Sequence, residues 1–118
     1  MPIVHVRGSK GIAGRATPKA LTNIATDVAR AAGCSVGDVW CTFTPATETT
    51  VGTRVPREGE GILYVDVLAR PREADVLPET LEAAARAAAS SFRVHLDNVW
   101  AHVTVLDAGT VFAGGGLV

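Results

Sequence analysis

A proline at the second position is the residue of this chain that most directly suggests chemistry. If the initiator methionine is removed, Pro2 becomes the chain terminus and its nitrogen becomes a secondary amine. Such an amine acts as a base, an acid or a nucleophile, and a nearby cation or an apolar wall favours its neutral form. A structural interpretation is also open, because proline is tolerated at the start of an edge strand that does not use its N–H.

Two arginines and one aspartate have the chemistry to complete such a site. Arg70-Pro71-Arg72 follows an apolar run, and two guanidinium groups can hold a carboxylate through paired hydrogen bonds. Asp38 precedes another apolar run, where its carboxylate would orient a water or favour the protonated amine. The alternatives are a solvated loop pair for the arginines and a turn or strand cap for Asp38.

The elements that must position these groups come from an internal repeat. Val39-Trp40 returns as Val99-Trp100, 60 residues later. Each half has an apolar run, a proline-initiated helical pattern and a second apolar run, which predicts a β-α-β unit used twice. A crossover of helical length makes the strands of each unit parallel and places both helices on one face. The pattern predicts one domain over residues 1–118, with pseudo-repeats at about 2–58 and 62–118.

The expected fold class is therefore α+β (α/β), with a four-stranded mixed sheet. Thr17 is a suitable cap for the first helix, Pro18 suits its first position, and Gly33 is a good stop. Residues 45–61 are rich in Thr, Gly and Pro and are interpreted as a connector with a possible hairpin. The predicted strands cover 3–7, 38–44, 62–69 and 98–106, and the predicted helices cover 18–32 and 78–93. The second strand alternates as a half-buried strand, with Val39, Cys41 and Phe43 on one face and Trp40 and Thr42 on the other.

Composition excludes several classes of partner. The net charge is −1 and no block of like charges occurs, which argues against nucleic acid and membrane surfaces as partners. No run approaches the roughly 20 apolar residues of a membrane span, and no export signal is evident, so we expect a cytoplasmic protein. Cys34 and Cys41 show no metal-ligand spacing and are expected to be reduced core residues. We expect neither a metal nor another cofactor.

The Met1-Pro2-Ile3-Val4 start, the duplicated unit and the length together resemble the tautomerase superfamily, in its longer form with two fused units per chain. Its members include 4-oxalocrotonate tautomerase, macrophage migration inhibitory factor, the chloroacrylic acid dehalogenases and malonate semialdehyde decarboxylase. The resemblance implies a homotrimer of four-stranded sheets, with Pro2 as the catalytic amine in a pocket beside a subunit boundary. Only the first unit would carry a site, because Ile62 stands opposite Pro2 inside the chain.

Within the superfamily, the paired arginines resemble those of malonate semialdehyde decarboxylase, and Asp38 aligns with an aspartate of that enzyme. Trp40 stands where 4-oxalocrotonate tautomerase has an arginine, and is expected either to pack or to contact substrate. Arg15 resembles the first-loop arginine of that family, although the loop here is longer. Phe112 lies in a tail that departs from the decarboxylase; it either lines the pocket or packs in the core or the trimer.

The leading hypothesis is a tautomerase acting on a 2-oxo or 2-hydroxy-enol acid. Pro2 would be the base, and Arg70 and Arg72 would bind the carboxylate. One alternative is decarboxylation of a β-oxo acid, with Pro2 protonated and polarising the carbonyl. Another is a non-catalytic trimeric binding module, which would apply if Met1 stays attached and the Pro2 nitrogen is an amide.

Overall fold

A computed structural model describes residues 2–70 and 75–117 of the chain. It contains a four-stranded mixed sheet in the order β2-β1-β3-β4. The outer pairs β1–β2 and β3–β4 are parallel, whereas the central pair β1–β3 is antiparallel. The predicted sheet is thus confirmed, with one parallel pair from each repeat. The strands are β1 (Ile3–Gly8), β2 (Trp40–Pro45), β3 (Leu63–Ala69) and β4 (Val99–Val105).

Helices α1 (Pro18–Ala32) and α2 (Leu77–Phe92) pack against each other and against one face of the sheet. The sheet presents aliphatic side chains to them, because alternate residues of each strand point to the same face. Phe92 is fully buried and stacks on Phe43 with ring centroids 5.1 Å apart. Small side chains let α2 lie close to the sheet. The fully buried core includes Val4, Val6, Ile24, Val28, Leu63, Val65, Val67, Ala84 and Ala88.

Both helices end in the left-handed conformation, but only α1 has the residues that favour its two ends. The Thr17 hydroxyl oxygen accepts a hydrogen bond from the Ala20 N–H at 3.1 Å, and Gly33 ends the helix at φ 69°. Helix α2 starts after Val76 without a side-chain cap and ends at Arg93 with φ 54°. Among the described residues, Arg93 is the one non-glycine residue with positive φ. The second repeat therefore keeps the backbone of the first with less suitable residues.

The strand directions give the sheet two distinct ends. The first, here called the amine end, carries the starts of β1 and β2 and the last residues of β3 and β4. The second, the connector end, carries the starts of β3 and β4. A short 3-10 helix precedes β2 (Val36–Asp38) and another precedes β4 (Leu96–Asn98). The repeat thus places equivalent segments at opposite ends of one sheet.

Two segments lie outside this layered body. Residues 46–60 connect β2 to β3 and contain an isolated bridge between Val51 and Arg54. After β4, the chain forms a hairpin of β5 (Phe112–Ala113) and β6 (Gly116–Leu117). Its turn uses Gly114 and Gly115 at φ 62° and 86°, the positive values that a tight primed hairpin turn requires. We call residues 112–117 the arm. In the described ranges, neither helix is long and apolar enough to cross a membrane.

Candidate functional site

Pro2 lies at the amine end, at the first step of the sheet ladder. Its side chain is fully buried, and its carbonyl oxygen accepts a hydrogen bond from the Trp40 N–H at 3.3 Å. The next residue, Ile3, pairs with Trp40 of β2 on one side and with Leu68 of β3 on the other. The predicted base therefore lies between the start of β2 and the end of β3.

The start of β2 brings Asp38 and Trp40 to the same end. Asp38 is the last residue of a 3-10 helix, and its N–H donates to the Ser35 carbonyl at 3.0 Å. The residue is exposed. Trp40 is 61% exposed and points to the sheet face opposite the helices. Since Val39 is buried and Cys41 is half-buried, the predicted alternation of β2 is confirmed.

The end of β3 brings Arg70 to the amine end from the other side. Arg70 directly follows Ala69, whose carbonyl oxygen accepts a hydrogen bond from the Leu106 N–H at 2.8 Å. The arginine is half-buried. Its predicted partner Arg72 lies outside the described residues. One member of the arginine pair is thus positioned at the same sheet end as Pro2, and the other stays a prediction.

Arg15 takes part in a different arrangement, at the connector end. One terminal nitrogen donates to the carbonyl oxygens of Phe92 (3.1 Å) and Arg93 (3.2 Å), and the other donates to Gly59 (3.1 Å). These carbonyls belong to the last turn of α2 and to the connector, where unsatisfied helix acceptors attract a cation. Strand β1 separates Arg15 from Pro2 by about 20 Å at the usual rise per residue. Within one chain, Arg15 therefore caps α2 and does not approach Pro2.

Phe112 sits in the arm, which leaves the body at the amine end. It pairs across the hairpin with Leu117, and the two side chains are 71% and 73% exposed. A hairpin of two residues per strand is not stable by itself in water. The prediction that Phe112 lines a pocket or packs in a trimer stays open, since either role requires a surface that covers these two side chains.

Three surface clefts lie at the connector end, and of the predicted site residues that the structure describes, none lines any of the three. The largest measures about 490 Å³ and runs between the connector and the starts of β3 and β4. Tyr64 and Trp100 form one wall, with ring centroids 6.2 Å apart in an edge-to-face arrangement. Sequence reasoning missed this cleft. Its signal in the sequence is the return of Trp40 as Trp100, and Trp100 is 64% exposed.

One carboxylate of the connector, that of Glu60, accepts several hydrogen bonds from within the connector. Glu60 accepts hydrogen bonds from both terminal nitrogens of Arg54, at 2.7 and 3.1 Å, and from the Arg57 N–H at 2.9 Å. The Arg54 hydrogen bond, followed by the Arg57 backbone hydrogen bond, lowers the pKa of Glu60 to about 2. Arg54 is thereby occupied by an internal ion pair, which gives this guanidinium a structural role.

Thiol and metal chemistry find little support in the described part of the chain. Cys34 and Cys41 are half-buried, and burial raises the pKa of the Cys41 thiol to about 11. That thiol stays protonated at neutral pH and is a poor nucleophile. Across residues 2–70 and 75–117, no group of three or more His, Cys, Asp or Glu side chains is arranged to hold a metal ion.

Solved structures share this architecture along nearly the whole chain. Pt0534, solved after inactivation by 2-oxo-3-pentynoate, superposes with a TM-score of 0.81 at 12% identity, over 98% of this chain and 94% of its own. A fused 4-OT described as a wild-type symmetric trimer gives 0.80 at 16% identity, with the same two coverages. The chain has the tautomerase superfamily fold. Another example of this fold is N1, a member of the cis-3-chloroacrylic acid dehalogenase family (TM-score 0.74, 20% identity, coverages 98% and 82%).

At these sequence identities, the similarity to solved tautomerase structures shows a shared backbone fold and does not show a shared reaction. No protein-family model matches the sequence, and no curated protein matches it. The tautomerase fold of this chain is therefore established by its topology, and its activity has to be argued from the residues at the amine end.

Proposed function

We propose that this protein is a cofactor-independent tautomerase acting on a 2-oxo or 2-hydroxy-enol acid, with the Pro2 amine as general base. The observation that carries the proposal is the position of Pro2, which is buried at a sheet end where Asp38 and Arg70 come from the two adjacent strands. Removal of Met1 is part of the proposal, because the reaction needs a nitrogen lone pair.

The environment of Pro2 favours a neutral amine. Burial penalises the protonated form, and the guanidinium of Arg70, which follows β3 at the same sheet end, would act in the same direction. Arg70 and Arg72 would hold the carboxylate of the substrate and stabilise developing enolate charge. Trp40 and Phe112 would supply apolar contact to the rest of the substrate, and both are exposed enough in the single chain to do so.

The proton transfer balances without any additional reagent. The Pro2 nitrogen accepts the proton of the enol O–H, so that the O–H bond breaks and the carbonyl forms. The same nitrogen then delivers that proton to the nucleophilic carbon, and a C–H bond forms. Holding both atoms over a single amine removes much of the entropic barrier.

The proposal includes a homotrimer. The fused 4-OT in the comparison is a symmetric trimer, and this chain leaves apolar surface that an assembly would cover. Trp40, Tyr64 and Trp100 are exposed on the sheet face opposite the helices. Phe112 and Leu117 of the arm are exposed as well. Assembly would cover part of this apolar surface.

Decarboxylation of a β-oxo acid is the second candidate. The observation that favours it is that Asp38, just before β2, and Arg70, just after β3, lie at the same sheet end. There the carboxylate would stabilise a protonated Pro2, which would polarise the carbonyl while the arginines hold the carboxylate that leaves as CO₂. The two candidates require opposite protonation states of the same nitrogen.

Covalent labelling tests the amine directly. The protein is purified without an N-terminal tag, its intact mass is recorded, and it is incubated with 2-oxo-3-pentynoate, the compound that inactivated Pt0534. We expect loss of Met1 and addition of one molecule of the compound at Pro2, located by peptide mapping. Retention of Met1 in protein from its native source would refute both catalytic candidates and leave the binding-module hypothesis.

A pH profile then separates the two reactions. For tautomerisation of an enol acid, kcat/KM should rise with pH as one group loses its proton, since the base must be neutral. For decarboxylation of a β-oxo acid, kcat/KM should fall as the same group deprotonates. Turnover of β-oxo acids alone, with the falling profile, would replace the first candidate with the second.

A further inference from the structure

The largest cleft is the repeat counterpart of the Pro2 region. Its lining includes Ile62, Asn98, Val99 and Trp100, which stand 60 residues after Pro2, Asp38, Val39 and Trp40. The backbone around it therefore repeats the geometry of the amine end, with a strand start on each side and a 3-10 helix before the outer strand. The side chains and the chain connectivity differ, and these differences determine what the cleft can bind.

The cleft cannot repeat the chemistry proposed for Pro2. The Ile62 N–H donates to the Ser9 hydroxyl at 3.1 Å, and the Ile62 carbonyl accepts from the Ser9 N–H at 3.0 Å. This nitrogen is an amide with its hydrogen bond satisfied. Among the described residues that line the cleft, none is an arginine or lysine, so a carboxylate would find no cationic partner there.

What the cleft offers is aromatic surface and one negative charge. Trp100 is 64% exposed and Tyr64 is 46% exposed, and their rings meet edge to face on one wall. Asp97 is the charged residue of the described lining, with a carboxylate oxygen 3.5 Å from the His95 ring nitrogen. The faces of Trp and Tyr attract cations, and a carboxylate within the same cleft adds to that attraction.

We propose that this cleft, bounded by Thr50–Gly52, Tyr64, Asp97, Asn98 and Trp100, binds a small organic cation whose ammonium group faces Trp100 and Asp97. A cavity of about 490 Å³ lies in the range of sites for small organic ligands. The site is distinct from the amine end and has the opposite charge preference. The protein would then bind an anionic substrate at one end of its sheet and a cationic ligand at the other.

Three probes of similar shape test the charge preference: phenyltrimethylammonium, its neutral isostere tert-butylbenzene, and benzoate. The chain has two tryptophans, so in a Trp40→Phe background the fluorescence reports on Trp100 alone. Titrated into the full assembled protein, phenyltrimethylammonium should change this fluorescence saturably. The neutral isostere should bind at least about five-fold more weakly, and benzoate should not bind.

Matched variants locate the site. Asp97→Asn should weaken phenyltrimethylammonium binding about five-fold, whereas Asp38→Asn, the same change at the repeat counterpart, should leave it unchanged. Trp100→Phe, measured by line broadening of the probe in NMR spectra, should weaken binding and keep the melting temperature. The proposal is overturned if the cation and its isostere bind equally, if Asp38→Asn acts in place of Asp97→Asn, or if nothing binds because a neighbouring chain covers the cleft.

Discussion

The two ends of the sheet share one backbone plan and differ in a handful of side chains. At the amine end, the repeat places Pro2 and Asp38 at the starts of two parallel strands. At the connector end, the same positions hold Ile62 and Asn98, and a connector covers them. One end thus has a potential free amine and nearby ionisable groups, whereas the other has a satisfied amide and an aromatic cleft.

This comparison shows what a duplicated unit can and cannot repeat. A strand, a helix and a strand are specified locally, so both halves form them. The proposed reactivity needs a free amine at Pro2, whereas the nitrogen of its counterpart Ile62 is a hydrogen-bonded amide, so we expect this reactivity at one end only. The second end lacks that chemistry, and its repeated backbone geometry forms the cleft that we propose as a binding site.

Substituting Pro2 and its repeat counterpart Ile62 in separate variants is the strongest test of this difference. Pro2→Ala should lower kcat/KM for a 2-hydroxy-enol acid by about 10²- to 10⁴-fold, because the positioned secondary amine is lost. Ile62→Val, at the same place in the second unit, should change kcat/KM by less than about three-fold, since it only removes one methylene from a half-buried side chain at the other sheet end. Unchanged turnover in the Pro2 variant would end the claim that the ends differ in chemistry.

Arg15→Ala sharpens the comparison by removing a contact that one unit makes to the other. Three hydrogen bonds to the carbonyls of Phe92, Arg93 and Gly59 disappear, and we expect the free energy of unfolding to fall by about 2 kcal/mol. Arg30→Ala is the control, since Arg30 makes a single exposed pair with Asp27 at 3.5 Å and should change stability by less than about 0.5 kcal/mol. Chemical denaturation measures both. Equal stabilities with a raised KM for Arg15→Ala would instead favour a role in carboxylate binding.

The C-terminal ends of α1 and α2 provide two smaller effects on stability, which have opposite signs. Gly33 and Arg93 hold equivalent left-handed positions at φ 69° and 54°, so the same conformation is occupied by a permissive and by an unfavourable residue. Gly33→Ala should destabilise the protein by about 1 kcal/mol, and Arg93→Gly should stabilise it by up to about 1 kcal/mol. Thermal unfolding of the two variants should therefore shift in opposite directions. A Gly33→Ala protein as stable as the parent would show that the repeats do not differ in this way.

The smallest expected effect concerns the hydrogen bonds that Glu60 accepts in the connector. Because the folded-state pKa of Glu60 is depressed from 4.5 to about 2, its contribution to stability is fully present above pH 4.5 and is lost as the pH falls through about 2. The NMR shift of the Arg57 amide should follow this titration. Glu60→Gln should remove it, and Glu58→Gln in the same connector should not. A midpoint near 4.5 would mean that the pair with Arg54 is not formed in solution.

Much of the architecture follows from local sequence. Thr17 and Gly33 mark the ends of α1 where they were predicted, and the apolar alternation of β2 gives the correct buried face. The repeat itself predicts that the two strands of each unit are parallel, whereas the order of the four strands and the antiparallel central pair come from the structure. These features are readable because each depends on residues close together in the chain.

The rest depends on contacts that no local pattern marks. Arg15 donates to three backbone carbonyls, and any residue type at positions 59, 92 and 93 would present the same acceptors. The cleft beside Trp100 exists because the connector folds over the starts of β3 and β4, which composition alone does not predict. The convergence of Pro2, Asp38 and Arg70 follows from strand order, whereas their roles in a reaction remain the prediction made from their chemistry.

In the proposed mechanism the reactive atom is part of the main chain. The Pro2 nitrogen has no side-chain torsion between itself and the sheet, because Ile3 is paired on both sides and the Pro2 carbonyl is bonded to β2. A catalytic histidine or lysine loses rotamer freedom each time it takes up its working position, whereas this base has none to lose. Its placement is as accurate as the ladder beneath it, and any substitution that shifts the register of β1 would move the reactive nitrogen with it.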